Sequence, residues 1–183
     1  MGDLADRYAV IADGMSARVD AVGDWSVSSP CPGWTARDVV EHVVQSHRRA
    51  LERVAVELPA TAPDDDPGHD PTPVWHTASR AMLDALGDDD IAARTIETPF
   101  GTAAFSELVG SLICSDTLVH TWDLARATGQ DERLDPGAVE ATWTAMQRFG
   151  EGLRTSGAFG DEVAAPADAD AQTRLLAFLG RRV

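Results

Sequence analysis

Asp116 and His120, four positions apart, are the residues of this sequence best suited to bind a metal ion together. On a helix, this spacing places both side chains on one face, one turn apart. Apolar neighbours on that side direct the pair into the protein, where an unsatisfied polar group costs roughly 2–7 kcal/mol. A third ligand would satisfy both side chains, and His42, on the apolar side of an earlier helix, is the strongest candidate.

Two imidazoles and one carboxylate on one side of a metal leave positions open for water or a substrate. Zinc or nickel suits histidine-rich ligation, iron(II) is compatible with it, and the order of metal affinities does not choose among them. With zinc, such a site lowers the pKa of a bound water to about 7 or holds a substrate thiolate. The pattern therefore predicts a metal site of catalytic form, with the metal left open.

The same residues have other interpretations. Asp116 and His120 could form an intrahelical hydrogen bond in a metal-free bundle, with His42 turned away. Asp123, one turn beyond His120, could orient that histidine as a hydrogen-bond acceptor, or it could pair with Arg126 near the helix end. We favour the first role for Asp123.

The other histidines and the two cysteines are expected to have no part in the site. His47 should face solvent beside two arginines, and His69 and His76 should also be exposed. Cys31 precedes a proline and has no base beside it in the sequence, which favours a small buried residue over a nucleophile. Cys31 and Cys114 form no CxxC pair, so a reduced compartment is expected, although a disulfide between them stays open.

Apolar residues at spacings of three and four predict the helices that must position these side chains. The residues from 60 to 73 are rich in proline and aspartate and predict a surface loop, and those from 95 to 105 predict an irregular or briefly extended connection. Four long helices and a C-terminal addition favour a helix bundle. The predicted helices run from Asp3 to about Val22, Ala36 to about Val56, Val74 to Gly87, Ser106 to Gly129, Pro136 to about Leu153, and Asp168 to Leu179.

Composition limits the class of protein. A length of 183 residues, 44% of them hydrophobic, predicts a single domain over residues 1–183. The formal charge of −15 disfavours nucleic acid and anionic membranes as partners. No run reaches the roughly 18 apolar residues of a membrane span, and no signal peptide precedes the first helix, so we expect a cytoplasmic protein. All 15 basic residues are arginine, which suggests a GC-rich genome, and a homodimer is compatible with the helical pattern.

Two segments carry a resemblance to a known family: SSPCPGWTARDVVEHVV around His42, and DTLVHTWDLARATG around His120. Both resemble actinobacterial metal-binding proteins related to the mycothiol-dependent maleylpyruvate isomerase, in the DinB-like superfamily. The segments TIETPFGTAAFSE and DADAQTRLLAFLGR extend the resemblance over nearly the whole chain. It implies an all-α, up-down-down-up four-helix bundle with a short extra C-terminal helix, and a metal held by His42, Asp116 and His120.

The resemblance also implies a function. It predicts a metal-dependent enzyme that uses a low-molecular-weight thiol, mycothiol in an actinobacterial host, for thiol transfer or isomerisation of a small electrophile. The isomerase has Glu where this sequence has Asp116, which shortens the reach of that ligand by one methylene group. A non-catalytic metal- or ligand-binding protein, such as a sensor, is the alternative, and the sequence identifies neither the electrophile nor a catalytic residue.

Overall fold

Helices account for most of the chain in the computed structural model, which describes residues 2–59, 69–98, 101–148 and 160–183. A single antiparallel hairpin interrupts the helices of these residues, with Thr95 paired to Ala104 and Thr98 paired to Gly101. The elements are α1 (Gly2–Val19), α2 (Ala36–Glu52), α3 (Thr72–Gly87), α4 (Asp89–Ala92), β1 (Thr95–Thr98), β2 (Gly101–Ala104), α5 (Phe105–Leu108), a π-helical turn (Val109–Ile113), α6 (Cys114–Thr128), α7 (Pro136–Gln147) and α8 (Ala171–Phe178).

Four of these helices form the bundle. Helix α1 packs against α3 and α6, and α2 packs against the same two helices, so the order around the bundle is α1, α3, α2, α6. Their apolar faces meet in one core, which fits the burial expected of amphipathic helices in a domain of this size. The large side chains buried completely in this core include Tyr8, Trp75, Phe105, Trp122, Met82 and Leu124.

Contacts between α1 and α6 show that these two helices run in the same direction. Near the start of α1, Arg7 Nη2 donates to the Gly110 carbonyl oxygen at 3.3 Å. Two turns later, the Thr121 hydroxyl donates to the Met15 sulfur at 3.5 Å. Because both contacts advance together along the chain, α1 and α6 are parallel.

The remaining two helices run the other way. Trp75 Nε1, in the first turn of α3, donates to the Ser16 hydroxyl in the last turns of α1 at 2.9 Å, so α3 is antiparallel to α1. Arg37 Nε, at the start of α2, donates to the carbonyl oxygen of His69, just before α3, at 3.0 Å, so α2 and α3 begin at the same end. The predicted all-α, DinB-like up-down-down-up bundle with a short C-terminal helix is therefore confirmed.

Several helix boundaries differ from the predicted ones. Helix α1 ends at Val19 rather than Val22, because the amides of Ala21 and Val22 bond to carbonyls three residues back and tighten the last turn. Helix α2 ends at Glu52 rather than Val56, where Ala55 turns the chain with a φ of 56°.

Later boundaries differ as well. Helix α3 begins at Thr72, two residues before the predicted start, and most of the predicted surface loop lies outside the described residues. Helix α8 begins at Ala171 instead of Asp168, because the Asp170 side chain accepts from the Thr173 amide and caps it. The predicted end of the fifth helix at Leu153 lies outside the described residues.

The fourth predicted helix is not uniform. It begins at Phe105, one residue early, and contains the π-helical turn before α6, which the sequence pattern does not indicate. A π-helical turn adds one residue to a turn of the helix, because its amides bond to carbonyls five residues back instead of four. It therefore changes the angular position of the residues that follow, including Asp116. The predicted end at Gly129 is confirmed, with a φ of 69° at that glycine. No helix among the described residues is long and apolar enough to cross a membrane.

The prediction that His47 faces solvent is wrong. This side chain is completely buried, with Nε2 2.7 Å from the Tyr8 hydroxyl and Nδ1 2.8 Å from the Val43 carbonyl oxygen. Two hydrogen bonds satisfy the ring, and they remove the cost of burying it. His76 is exposed as predicted and pairs with Asp20 at 2.7 Å.

His69 also departs from its predicted exposure. Its side chain is only 17% exposed and pairs with Glu41 at 3.2 Å. Cys31 and Cys114 are both free, so the alternative of a disulfide between them does not hold in this structure.

Candidate metal centre

Helix α2 begins at a capping box that fixes the position of His42. The Asp38 amide donates to the Thr35 hydroxyl at 3.3 Å, and the Thr35 amide donates to the Asp38 carboxylate at 2.6 Å. Because this reciprocal pair satisfies two amides at the helix start, it sets where the helix begins and which residues face the core. His42 lies further along the helix, on the side that faces α6.

The three predicted ligands come together between α2 and α6. Asp116 Oδ1 lies 3.2 Å from His42 Nε2 and 3.5 Å from His120 Nε2. One atom from each side chain lies within 4.8 Å of the other two. His42 is not turned away, and the separation of Asp116 and His120 is long for the intrahelical hydrogen bond considered as an alternative.

The site opens from the core towards the surface. The side chains of His120, Asp116 and His42 are 8%, 20% and 35% exposed, respectively. The second oxygen of Asp116, Oδ2, is buried without a hydrogen-bond partner. Burial raises the pKa of Asp116, but the hydrogen bond from His42, the charges of His120 and His42 and the nearby Ser46 hydroxyl together outweigh burial, so the pKa lies below its usual value. The carboxylate therefore stays ionised at neutral pH.

A tight turn before α2 forms one wall of the site. The Trp34 amide donates to the Cys31 carbonyl oxygen at 3.0 Å, with Pro32 second in the turn and Gly33 third at a φ of 79°. Such a turn favours proline and then glycine at these positions, because the third residue needs a positive φ. It places the Trp34 ring 5.0 Å from the ring of His42 and stacked at 5.8 Å on that of His120.

Asp123, predicted to orient His120, lies behind that histidine. Its carboxylate is completely buried, and Oδ2 lies 2.9 Å from His120 Nδ1, although the ring N–H bond is not aligned well enough for a regular hydrogen bond. The alternative pairing with Arg126 is wrong. Arg126 instead pairs with Glu132 at 2.7 Å and lies over the Trp122 ring.

Sequence reasoning missed Arg181, which reaches Asp123 from the C-terminal segment. Arg181 Nη2 lies 2.8 Å from Asp123 Oδ2, and Nε lies 3.4 Å from Oδ1. Burial raises the pKa of Asp123, but His120 and Arg181 outweigh burial and bring the pKa to about 2. No periodicity or motif marks Arg181, because it lies beyond the last predicted helix and meets a partner 58 residues away.

Cys31 also contacts Asp123. Its thiol donates to Asp123 Oδ2 at 3.4 Å and is partly buried, in keeping with the small buried residue expected. Burial raises the pKa of Cys31 to about 12, and the charge of Asp123 adds to this effect. The thiol is therefore protonated at neutral pH and is a poor nucleophile.

Cys31, His120 and Asp123 form a second group of potential ligand atoms within 4.8 Å of one another. This group is a poor metal site, because Arg181 already neutralises Asp123 and its guanidinium would repel a cation. The thiol would also have to lose its proton at an unfavourable pKa. In the group of His42, Asp116 and His120, by contrast, no described arginine forms an ion pair with Asp116, although the charge of Arg181 still acts on that carboxylate.

Comparison with known proteins agrees with the resemblance in the sequence. Residues 8–125 match the family model of the mycothiol maleylpyruvate isomerase N-terminal domain. Two uncharacterized proteins of Mycobacterium tuberculosis, from strains CDC 1551 and H37Rv, are each 33% identical over 97% of this chain and 93% of their own length. No solved structure shows a significant match. The chain therefore belongs to the family of the mycothiol maleylpyruvate isomerase N-terminal domain.

Proposed function

We propose that this protein binds one divalent transition metal, zinc or nickel, through His42, Asp116 and His120, and uses it to act on a low-molecular-weight thiol. The distances from one oxygen of Asp116 to the two histidines carry this proposal. Ligand atoms in tetrahedral zinc sites stand roughly 3.3 Å apart, because each lies about 2.0–2.1 Å from the ion. The separations of 3.2 and 3.5 Å are close to that value.

Ordinary ion pairs account for these distances less well. A charge-assisted N–H···O bond is about 2.7–2.9 Å long, so the contact of Asp116 Oδ1 with His42 at 3.2 Å is a long hydrogen bond and the contact with His120 at 3.5 Å exceeds the hydrogen-bond range. The buried oxygen Asp116 Oδ2 has no regular hydrogen bond, although the Ser46 hydroxyl lies near the carboxylate, and this poor satisfaction would be costly for a carboxylate whose only role is structural. A bound cation would compensate this carboxylate and use the lone pairs of both imidazoles.

Three protein ligands on one side support a reactive site rather than a closed structural one. Among the described residues, no further histidine, cysteine or carboxylate joins the group of His42, Asp116 and His120. His42, with 35% of its side chain exposed, marks the side from which a small molecule would enter. Trp34 covers both histidine rings and would keep water away from that wall.

The family supports a thiol as the substrate, and mycothiol is the thiol in the name of that family. A bound zinc or nickel ion would lower the pKa of the thiol and stabilise its thiolate. The chain would contribute Asp116 to balance the positive charge and Asp123 to hold the ring of His120. Because Cys31 keeps its own proton, with a pKa of about 12, the reacting sulfur would come from the substrate.

The reaction would be thiol transfer or isomerisation of a small electrophile. The alternative is a non-catalytic metal- or ligand-binding protein, such as a sensor, with the same three ligands. The two differ in turnover: an enzyme converts the electrophile, whereas a binding protein does not. Thiol transfer also consumes the thiol, whereas isomerisation returns it, because the sulfur adds to the electrophile and leaves again.

Metal content is the first test. Untagged wild-type protein and the variants His42→Ala and His120→Ala would be analysed by mass spectrometry after incubation with zinc or nickel. We expect about one equivalent of metal in the wild type and its loss in both variants with the fold retained. The matched control is His76→Ala, because His76 is exposed and pairs with Asp20 away from the site.

Turnover is the second test. Loaded protein would be incubated with mycothiol and a panel of small electrophiles, and free thiol, electrophile and products would be followed with time. Metal-dependent conversion of an electrophile that disappears in His120→Ala would support the enzyme. Metal binding without conversion of any electrophile would favour the binding or sensor role, and failure of the wild type to bind metal would overturn the proposal.

A further inference from the structure

The C-terminal segment reaches the candidate metal centre through one buried carboxylate. Asp123 is completely buried on α6, and its Oδ2 lies 2.9 Å from His120 Nδ1 and 2.8 Å from Arg181 Nη2. Arg181 is only 14% exposed and lies near both carboxylate oxygens. A buried carboxylate needs such compensation, so Asp123 has a fixed place between a cation and a candidate ligand.

The backbone before Arg181 fixes the direction of its side chain. Helix α8 ends in a Schellman motif: the Gly180 amide donates to the Ala177 carbonyl oxygen at 3.0 Å, and the Arg181 amide donates to that of Leu176 at 2.8 Å. Gly180 has a φ of 86°, and a Cβ there would lie 3.0 Å from the backbone of Gly160. Glycine at position 180 therefore allows the turn that brings Arg181 back to α6.

A further hydrogen bond holds the guanidinium group in place. Arg181 Nη1 donates to the Leu179 carbonyl oxygen at 2.9 Å, while Nη2 and Nε face Asp123. The planar guanidinium, anchored on both sides, leaves the carboxylate little rotational freedom. Asp123 can then hold the His120 ring with Nδ1 towards it and Nε2 towards Asp116.

We infer that Arg181 is a positioning residue of the candidate metal centre, acting through Asp123 to fix the orientation of the His120 ring. The inference about metal affinity rests on the proposed function, whereas the effect on the ring does not require a metal. A structural role alone, in which Arg181 only neutralises a buried charge, would leave the affinity of the folded protein for metal unchanged. Outer partners of metal-bound histidines usually change metal affinity by about 10–100-fold.

Zinc dissociation constants, measured by competition with a chelator, test the inference. We expect roughly tenfold weaker binding in Arg181→Met and a smaller loss in Arg181→Lys, because lysine keeps the charge but not the planar geometry. The matched control Arg182→Met should bind as the wild type does, because that neighbouring residue is exposed.

A double-mutant cycle tests whether Arg181 acts through Asp123. In an Asp123→Asn background, Arg181→Met should cause no further loss of zinc affinity, since Arg181 acts through that carboxylate. Losses that add would overturn the inference, as would an unchanged dissociation constant in folded Arg181→Met. Circular dichroism melting would establish that each variant folds. If Arg181→Met alone does not fold, the zinc dissociation constants of Arg181→Lys and of the double variant, which lacks both charges, keep the test decisive.

A metal-free measurement separates this inference from the proposed function. The two ring nitrogens of His120 would be followed by nitrogen-15 NMR in the apoprotein. We expect their chemical shifts to change in Arg181→Met but not in Arg182→Met, and unchanged shifts would overturn the inference. Failure of the wild type to bind zinc would count against the proposed function, while the NMR result would still decide the role of Arg181.

Discussion

The Tyr8 hydroxyl donates a 2.7 Å hydrogen bond to Nε2 of His47 in the centre of the bundle. The Val43 carbonyl oxygen can only accept, so the proton of the neutral His47 ring is on Nδ1 and Nε2 accepts from Tyr8. Burial lowers the pKa of His47 to about 4 despite the hydrogen bond to Val43. Folding therefore selects one tautomer of a neutral histidine and joins α1 to α2.

This pair predicts a loss of stability in mild acid. The folded pKa of His47 lies below its ordinary value of 6.5, so the unfolded chain binds more protons between pH 6.5 and about 4. The contribution of the neutral His47 ring to the free energy of unfolding is complete above about pH 6.5. About 3 kcal/mol of it is lost as the pH falls from 6.5 towards 4. Urea unfolding at pH 7.0, 5.5 and 4.5 measures this loss of stability.

The variant His47→Gln supplies the comparison for that measurement. Glutamine does not titrate and can still accept from Tyr8, so the variant should be less stable at pH 7 but lose much less stability between pH 6.5 and 4. His76→Gln, at an exposed histidine, should leave the pH dependence of the wild type in place. If the free energy of unfolding changed equally with pH in the wild type and in His47→Gln, the role of His47 would be contradicted.

The two contacts of Asp116 Oδ1 predict how zinc stabilises the fold. At a free zinc concentration of about 100 times the dissociation constant, binding should add about 2.7 kcal/mol to the free energy of unfolding. If Asp116→Asn weakens binding about 100-fold, only about 0.4 kcal/mol remains at the same concentration. Thermal melting with and without zinc checks this, and Asp20→Asn, at an exposed carboxylate, should respond as the wild type does. An undiminished response in Asp116→Asn would contradict its assignment as a ligand.

Spacing along helices makes part of the candidate site predictable. Asp116 and His120 share a helix face because they are four residues apart, and the apolar pattern of α2 orients His42 towards the core. The capping box at Thr35 and the left-handed end at Gly129 are predictable for the same reason, because each depends on neighbouring residues only.

Contacts between distant segments are not predictable in this way. Arg181 meets Asp123 because α8 ends in a turn that returns the chain to α6, and no local pattern encodes that meeting. The position of His47 within α2, four residues from both Val43 and Leu51, is on the apolar face, so helical spacing alone indicates burial, and the predicted exposure gave too much weight to its charged neighbours. What the spacing does not show is its partner, Tyr8 on α1. In both cases a polar side chain is buried by a partner far away in the sequence.

Glycines with positive φ predict an ordered series of stabilities. Gly129→Ala should cost about 1 kcal/mol, because φ is 69° and only backbone strain opposes the new methyl group. Gly180→Ala should cost roughly 2 kcal/mol or more, because a Cβ would also meet the Gly160 backbone at 3.0 Å.

Gly14 is the matched control for this series. It lies in the interior of α1 with a negative φ, and no atom lies within 4 Å of the position that a Cβ would occupy, so Gly14→Ala should stabilise by about 0.5–1 kcal/mol. Urea unfolding of the three variants gives the order, and an equal effect at positions 129 and 180 would contradict the close approach of Gly160.

The raised pKa of the Cys31 thiol predicts slow chemical modification. With a pKa of about 12, only about one molecule in ten thousand carries the thiolate at pH 8. Cys114 is buried, and burial raises its pKa to about 11, so native protein should show no rapid reaction with a disulfide reagent at pH 8, while urea should expose both thiols. Rapid labelling of one thiol in native protein would contradict this assignment.

The charged neighbours of Cys31 predict which substitutions speed its labelling and which slow it. Burial is the largest cause of the raised pKa, the charge of Asp123 raises it further, and Arg181 lowers it. Asp123→Asn should therefore speed the labelling of Cys31 and Arg181→Met should slow it, both measured in a Cys114→Ala background. The two effects are opposite because the thiolate is repelled by the carboxylate and attracted by the guanidinium. If both variants accelerate labelling equally, local opening of the fold rather than charge controls access to the thiol.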